Sequence, residues 1–299
     1  MKAPTESPIA LQACAGYRII IASAPQIEGG LSLLERPRDN QVMAPTPAFT
    51  IATLVTDPSL YEQMKASFRE KGFADDCEFL TVDNTGSRQT DAYAGLNRLL
   101  NQASAPLVIL CHQDVVLFGD GRTELEARLR ELSELDPCWA LAGNGGGSGF
   151  DRLHIRITDK FGDNQRRNGP FPVRVHSLDE NFIVVRAEAR IGLSRNLTGF
   201  HMYGTDICLV ADILGWNAYV IDYHLQHLGE ARMGPAFAAS LDQFRRKWNH
   251  ALRERYLQST CTRVLVTGAG QPDLVKKLRL RTRSAFFGLR RRIGTLIAK

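Results

Sequence analysis

Three short polar runs in this 299-residue chain carry side chains able to do chemistry, and each closes a run of apolar residues. His112-Gln113-Asp114 ends the apolar stretch Leu107–Cys111 and offers borderline and hard metal ligands where a buried strand would open onto solvent. The same three residues would serve equally as a plain turn, with Asp114 capping local amides. Asp83-Asn84 closes Cys77–Val82, and Gly143-Asn144-Gly145-Gly146-Gly147 closes the run that begins at Trp139. The glycines lack the spacing and the first-strand position of a dinucleotide fingerprint, so nicotinamide chemistry is not expected and they read as a mobile loop beside a cleft. Asp206, preceded by Thr205, would lie in the first turn of a helix over about 206–214 that Thr205 caps. There the helix dipole favours the ionised carboxylate, which can accept a hydroxyl proton or act only as a cap. His224 and His227 are three apart, not the four of a helical zinc site, and no further ligands complete a zinc set.

The elements that must position these groups follow from periodicity. Phe49–Val55 is a β-branched, apolar strand, and Asp57-Pro58 opens a helix with Leu60, Met64 and Phe68 at helical spacing. Cys77–Val82 is a second strand, followed by a helix carrying Ala92, Tyr93, Leu96, Leu99 and Leu100 on one face. Pro106–Cys111 is a third strand, short and continuously apolar as in buried parallel sheets. Thr123-Glu124-Leu125-Glu126 predicts a capping box for a third helix, with solvated pairs Glu124/Arg128 and Glu126/Arg130. Trp139–Gly143 is a fourth strand. Strands alternating with helices at this spacing predict an α/β fold with a mainly parallel sheet flanked by helices, whose ligand crevice lies beyond the carboxyl ends of the strands. All three polar runs fall at such ends.

Bulk properties narrow the field. The chain is 44% hydrophobic and 23% charged, which excludes wholesale disorder, and it has no apolar run of membrane-spanning length. Lys2, Ile9–Ala15 and Ala22-Ser23-Ala24 imitate a secretion signal, but Gln12 and Arg18 interrupt it, so a cytoplasmic location is expected. Six cysteines without a CxxC pair indicate neither a zinc ribbon nor a disulfide framework, and most are expected to be buried thiols. The net charge of +5 arises from the end of the chain: nine Lys and Arg follow Asp273 with no acid among them, so the remainder is net acidic and no nucleic-acid partner is expected. From Lys276 to Lys299 these cations alternate with Leu278, Leu280, Phe286, Phe287, Leu289, Ile293, Leu296 and Ile297, suiting an amphipathic helix on an anionic membrane, so a peripheral position on the inner face of the membrane is expected. The expected organisation is a Pro-rich extension over 1–48 with one strand-like run at Tyr17–Ala22, an α/β domain over 49–235, a helical segment over 236–275 and the basic tail over 276–299.

The order Val82-Asp83-Asn84, Ala92-Tyr93-Ala94-Gly95-Leu96-Asn97, Leu110-Cys111-His112-Gln113-Asp114-Val115 resembles the family 2 nucleotide-sugar glycosyltransferases of the GT-A fold. More closely it is similar to a subgroup whose acid motif reads H-Q/E-D-V. The likeness continues through Leu178–Phe182, Phe200–Leu209 and Tyr223–His227, covering roughly residues 49–250. It implies a nucleotide-diphosphate sugar donor and an acceptor hydroxyl on a glycan or lipid-linked glycan. It also implies a divalent cation, Mn²⁺ or Mg²⁺, bridging the donor diphosphate.

By the same resemblance, Asp83 would hold the nucleotide base with Asn84 beside it, and Asn97, His112 and Gln113 would lie near the donor. Asp114 and His227 would be metal ligands, and Asp206 the general base, with Asp179 or Glu180 next in line. His112 stands where the first acid of D-x-D is usual, which favours Mn²⁺ or weak metal dependence over tight Mg²⁺ binding. Gln243-Phe244-Arg245-Arg246-Lys247-Trp248 is one residue too long for the Q-x-x-R-W motif of processive members, so single addition is expected. Two rivals share the fold: a silent scaffold that binds a nucleotide-sugar or glycan, and a sugar nucleotidyltransferase. The latter is weakened because no glycine- and basic-rich loop follows the first strand.

Overall fold

A computed structural model describes residues 46–149, 151–229 and 234–267. The strand-like run at Tyr17–Ala22, nearly all of the 1–48 extension and the tail 276–299 lie outside the described residues. Two units divide the chain, Met1–Ser240 and Leu241–Lys299.

β1 (Phe49–Val55) is an interior strand, paired in parallel with the edge strand β2 (Cys77–Asp83) on one side and β3 (Leu107–Cys111) on the other. Such a strand is covered on both faces, which is why its run is mostly apolar and β-branched, with Thr50 and Thr53 buried among the rest. Between these strands, α1 (Pro58–Glu70) starts where expected. Asp57 Oδ1 accepts from the Ser59 and Leu60 amides at 2.9 and 3.3 Å, and Pro58 occupies a position that needs no amide donor. α2 (Ala92–Gln102) is capped by Asp91, which accepts from the Ala94 amide at 3.2 Å.

β4 (Val115–Val116) is followed by α3 (Arg122–Leu135), β5 (Trp139–Gly143), β6 (Gly145–Gly147), β7 (Leu153–Asp159) and β8 (Gly162–Arg167). Then come β9 (Val173–Val175), β10 (Ser177–Leu178), β11 (Phe182–Arg186), a 3-10 turn at Ala187–Ala189, α4 (Tyr203–Ile213), β12 (Asn217–Val220) and β13 (Leu225–His227). α5 (Pro235–Ala251), β14 (Arg255–Gln258) and β15 (Arg263–Val266) complete the described chain.

The main sheet has the order β2-β1-β3-β11-β5-β12-β9, with β11 and β9 running against the other five strands. It is thus the mixed, mainly parallel sheet flanked by helices that the alternating pattern predicts. A second sheet, β10-β6-β7-β13-β4 with β8 on β7, lies at the carboxyl ends of the main strands. The core beneath joins Phe49, Phe68, Phe73, Leu125, Trp139, Phe182 and Tyr223.

Several local expectations are corrected. α3 is capped at Gly121, whose amide donates to Glu124 Oε2 at 2.8 Å, so the helix starts before Thr123; its ion pairs are Arg122–Glu126 and Arg128–Glu131. α4 likewise starts at Tyr203 after Met202 in a left-handed conformation (φ 68°), and Thr205 lies inside the helix rather than capping it. The run Gly145–Gly147 is a strand, not a mobile loop. A Cβ at Gly146 would collide with the Ser177 carbonyl and sit 3.0 Å from Val220 Cγ2, so glycine here lets β10 approach closely. Of the segment expected to be helical over 236–275, the helix ends at Ala251 and β14 and β15 form a hairpin, with β-branched Val264 and Val266 in the second strand. Among the described cysteines Cys111 and Cys208 are buried, Cys77 and Cys138 partly so, and Cys261 is exposed.

Candidate functional site

His112 leaves the carboxyl end of β3, and Asp114 immediately precedes β4. β4 pairs antiparallel with β13 in a register that sets His227 opposite Val115, and the Leu228 amide donates to the Asp114 carbonyl at 2.9 Å. Two segments more than a hundred residues apart in sequence are thereby stitched so that one ligand atom each from His112, Asp114 and His227 lies within 4.8 Å of the others. His227 Nε2 stands 3.3 Å from Asp114 Oδ1, and His112 Nδ1 stands 3.8 Å from the same oxygen. Burial works against a charged His227, but the Asp114 carboxylate beside it prevails and holds its pKa above the ordinary imidazole value. Burial also acts on Asp114 in the raising direction, and the facing imidazoles outweigh it and hold that carboxyl low.

The orientation of His112 follows from its neighbours. Tyr203 OH donates to the Glu180 carbonyl at 3.0 Å and lies 2.7 Å from His112 Nε2. With its single proton committed, the phenol must accept from Nε2–H, which leaves Nδ1 as the bare lone pair facing Asp114. A hydrogen bond at the far nitrogen that fixes the near one for ligation is the usual support of a metal-binding imidazole. His227 Nε2 is buried and has no well-aligned hydrogen-bond partner, a second sign that the set fits a cation. The donor set, two imidazoles and one carboxylate, suits Mn²⁺ or a similar borderline ion.

Gly229 closes this site from the other side. A Cβ there would run into Asp114 Oδ2 and lie 3.0 Å from His227 Nε2. Gly229→Ala is therefore expected to weaken Mn²⁺ binding by about 10-fold or more, the range typical of disturbed ligand support, while the melting temperature stays close to that of the unaltered chain. Calorimetric titration of Mn²⁺ checks this, and an unchanged affinity would show that the two ligands are not held as described.

The cluster opens into a cavity of about 610 Å³. Asp179, Glu180 and Thr205 supply polar wall, Phe161, Phe200 and Phe237 aromatic wall, and Lys160 a cation. Glu180 is the unusual carboxyl: burial pushes its pKa up to about 8, against the pull of the amides at the start of α4.

The other residues singled out in the sequence do not join this wall. Asn84 is buried and clamps a loop, accepting from the Thr90 amide at 2.9 Å and donating to the Thr90 carbonyl at 2.8 Å. Gln113 accepts from the Thr56 and Asp57 amides at 2.8 and 2.9 Å and donates to Thr56 Oγ1, so it locks the end of β1. Asn97 binds the Leu193 backbone in both directions at 2.8 and 3.0 Å and lines a separate cavity along α2. Asp83 is exposed at the end of the edge strand β2, its carboxyl held below the ordinary range by the Thr85 amide and hydroxyl. His224 is structural, with Nε2 2.9 Å from Thr158 Oγ1.

Asp206 is displaced furthest from its expected role. It is fully buried, Oδ2 accepts from the Ser194 amide and Oδ1 from the Ser194 hydroxyl, each at 2.8 Å, and it is not among the cavity-lining residues. The first turn of α4 does hold it, but the loop before the helix packs over it. Glu180, His201 and Phe161 are the lining residues whose positions periodicity does not reveal. The only signal for Glu180 in the sequence is the Leu178–Phe182 run.

No protein-family profile matches the chain. Among solved structures it is similar to the mannosyltransferase PcManGT of Pyrobaculum calidifontis in complex with GDP-Man and Mn²⁺, with a TM-score of 0.46, 13% identity and coverage of 68% of this chain and 64% of that one. It is also similar to S. aureus TarS in complex with UDP-GlcNAc (TM-score 0.43, 12% identity, 64% of this chain and 60% of that one). A third is GalNAc-T7 with UDP, GalNAc and Mn²⁺ (TM-score 0.42, 9% identity, 68% and 47%). The chain spans less than two thirds of each of these three. Over 227 residues it is 36% identical to the Fuscovulum blasticum protein designated ATP synthase subunits region ORF 6, covering 74% of this chain and 91% of that protein. The chain belongs to the family of that protein, whose designation states no reaction. Among the described residues no helix is long and apolar enough to cross a membrane.

Proposed function

We propose that this chain is a glycosyltransferase that moves a sugar from a nucleotide-diphosphate donor to an acceptor hydroxyl on a glycan or lipid-linked glycan, with inversion. The observation that carries the reading is the convergence of His112, Asp114 and His227 beside a cavity beyond the carboxyl ends of the central strands. A divalent cation held by these three residues would supply positive charge to the departing diphosphate. The residues themselves do the positioning: Tyr203 fixes the His112 tautomer, and the β4/β13 register holds His227 against Asp114. Asp83, exposed at the end of β2, is the group proposed to reach the nucleotide base, and the basic segment 276–299 is proposed to rest on an anionic membrane surface.

The test is binding of nucleoside diphosphates to the full chain with and without Mn²⁺, followed by transfer from a panel of nucleotide-sugars. UDP or GDP should bind at least about 10-fold tighter with the metal present, as expected when the cation bridges protein and diphosphate. Metal-independent or absent nucleotide binding would sink the reading. A silent binder remains the second reading because Asp206 is sealed away from the cavity; binding of a nucleotide-sugar without turnover would select it.

A further inference from the structure

With Asp206 sealed in, the cavity still needs a group to take the acceptor proton. Of the four carboxyls in its wall, Asp114 belongs to the ligand cluster, Asp159 accepts from the Phe161 amide and Gln165, Asp179 accepts from the amide and side chain of Asn181, and Glu180 is the fourth. Glu180 lies in the turn between β10 and β11, and its Oε1 accepts from the Gly204 amide at 3.3 Å, in the first turn of the eleven-residue helix α4. Its own carbonyl is pinned by Tyr203 OH, the same hydroxyl that orients His112, so one phenol ties Glu180 to the metal-ligand cluster. The close approach to α4 depends on Gly204. A Cβ there would stand 3.1 Å from Glu180 Cγ and collide with the Leu178 carbonyl. A helix start, a glycine without which the turn could not seat, and a cavity shared with the ligand cluster all converge on this one side chain.

We propose that Glu180 is the general base for the acceptor hydroxyl, a role that rests on the glycosyltransferase reading above, and that Asp206 only holds the Ser194 loop against α4. The acceptor oxygen forms a bond to the anomeric carbon, and the carbon–oxygen bond to the diphosphate breaks with its electron pair leaving on the diphosphate. The hydroxyl proton passes to the Glu180 carboxylate. Asp179 on the same turn, Tyr93 from α2 and Tyr203 from α4 are the titratable groups that face Glu180. None of them is a cation, so only the α4 amides favour the ionised form. Burial outweighs them and holds the carboxyl at about 8, so the base form grows, and turnover should rise, as the pH is raised through that value.

The experiment uses the full chain and follows Mn²⁺-dependent release of nucleoside diphosphate from a panel of nucleotide-sugars, with water or added glycans as acceptor. Glu180→Gln should lower turnover by about 10²–10⁴-fold, the usual worth of a positioned base. Its affinity for nucleoside diphosphate with Mn²⁺ should stay within about twofold, the signature of an interaction made only in the transition state. Glu180→Asp, which keeps the carboxyl on a shorter arm, should fall between, and separates lost chemistry from lost folding. Asp206→Asn should turn over almost normally per folded molecule.

Turnover of Glu180→Gln within about threefold of the unaltered chain would overturn the assignment, because so small a change is far below what a base is worth. Loss of turnover in Asp206→Asn with unchanged melting would overturn it too, as would an unaltered chain that binds metal and nucleotide yet releases none from any donor. Failure of nucleotide binding itself is a different result: it removes the glycosyltransferase reading first, and this role with it.

Discussion

Replacing Asp114 with Asn, or His227 with Ala, is expected to weaken Mn²⁺ binding by about 100-fold or more, since even groups that only support a ligand are typically worth 10–100-fold. The argument is geometric. Asp114 Oδ1 is the atom that both imidazoles face, at 3.3 and 3.8 Å, so an amide there removes the charge and presents a donor or a weaker acceptor at the centre of the set. The fold should survive Asp114→Asn, because the backbone bond from the Leu228 amide to the Asp114 carbonyl does not involve the side chain. His224→Ala is the matching control: that imidazole lies three residues from His227 and binds Thr158 instead, so its loss should leave the metal affinity alone. Calorimetric or paramagnetic titration of Mn²⁺ against the three variants reads the result. Equal affinity in Asp114→Asn and the unaltered chain would dissolve the site.

The second large effect concerns stability. Asp206 offers two fully buried oxygens to the amide and the hydroxyl of Ser194, so an amide at this position must turn its NH₂ toward the hydroxyl, whose own proton then loses its acceptor. Leaving a buried donor unsatisfied costs about 1–3 kcal/mol, and more where the lost acceptor was charged. Asp206→Asn should therefore destabilise by roughly 2–4 kcal/mol, which for a unit of this size lowers the melting temperature by about 4–16 °C. Ser194→Ala, which takes the hydroxyl from Asp206 Oδ1 but keeps the amide bond to Oδ2, should cost about 1–3 kcal/mol by the same rule. Thermal melts of both variants test the pair. An Asp206→Asn chain that melts like the unaltered one would restore this residue as a candidate for chemistry.

Gly229→Ala and Asp206→Asn together separate two kinds of information in the chain. Periodicity and capping chemistry are local, so β1, α1, β2, α2, β3 and β5 were legible from Phe49 to Gly143: a continuous apolar run, an Asp before a Pro, an i,i+4 stripe each have one cheap local solution. His112 and Asp114 were legible as polar residues at the mouth of the crevice for the same reason, since they end a continuously apolar strand. Asn84, Asn97 and Gln113 were misplaced because an amide at a strand end or on a helix binds substrate or backbone with the same atoms, and only the loop that comes to meet it decides which. The Thr90, Leu193 and Thr56 backbones arrived first.

What the amino-acid sequence determined by itself is therefore the alternation of elements, the carboxyl-end location of the crevice and the residue types available there. The tertiary structure decided which of them meet. His227 reaches Asp114 through the register of β13 on β4, a pairing across more than a hundred residues that no local pattern encodes. Asp206 and Glu180 part by the same logic: one acid lies in the first turn of α4 and the other reaches that turn from the β10–β11 connection, but the Ser194 loop covers the first while the absent side chain of Gly204 seats the second in the cavity wall. Burial and close packing are properties of the assembled chain, and they choose between two carboxyl groups that are chemically alike.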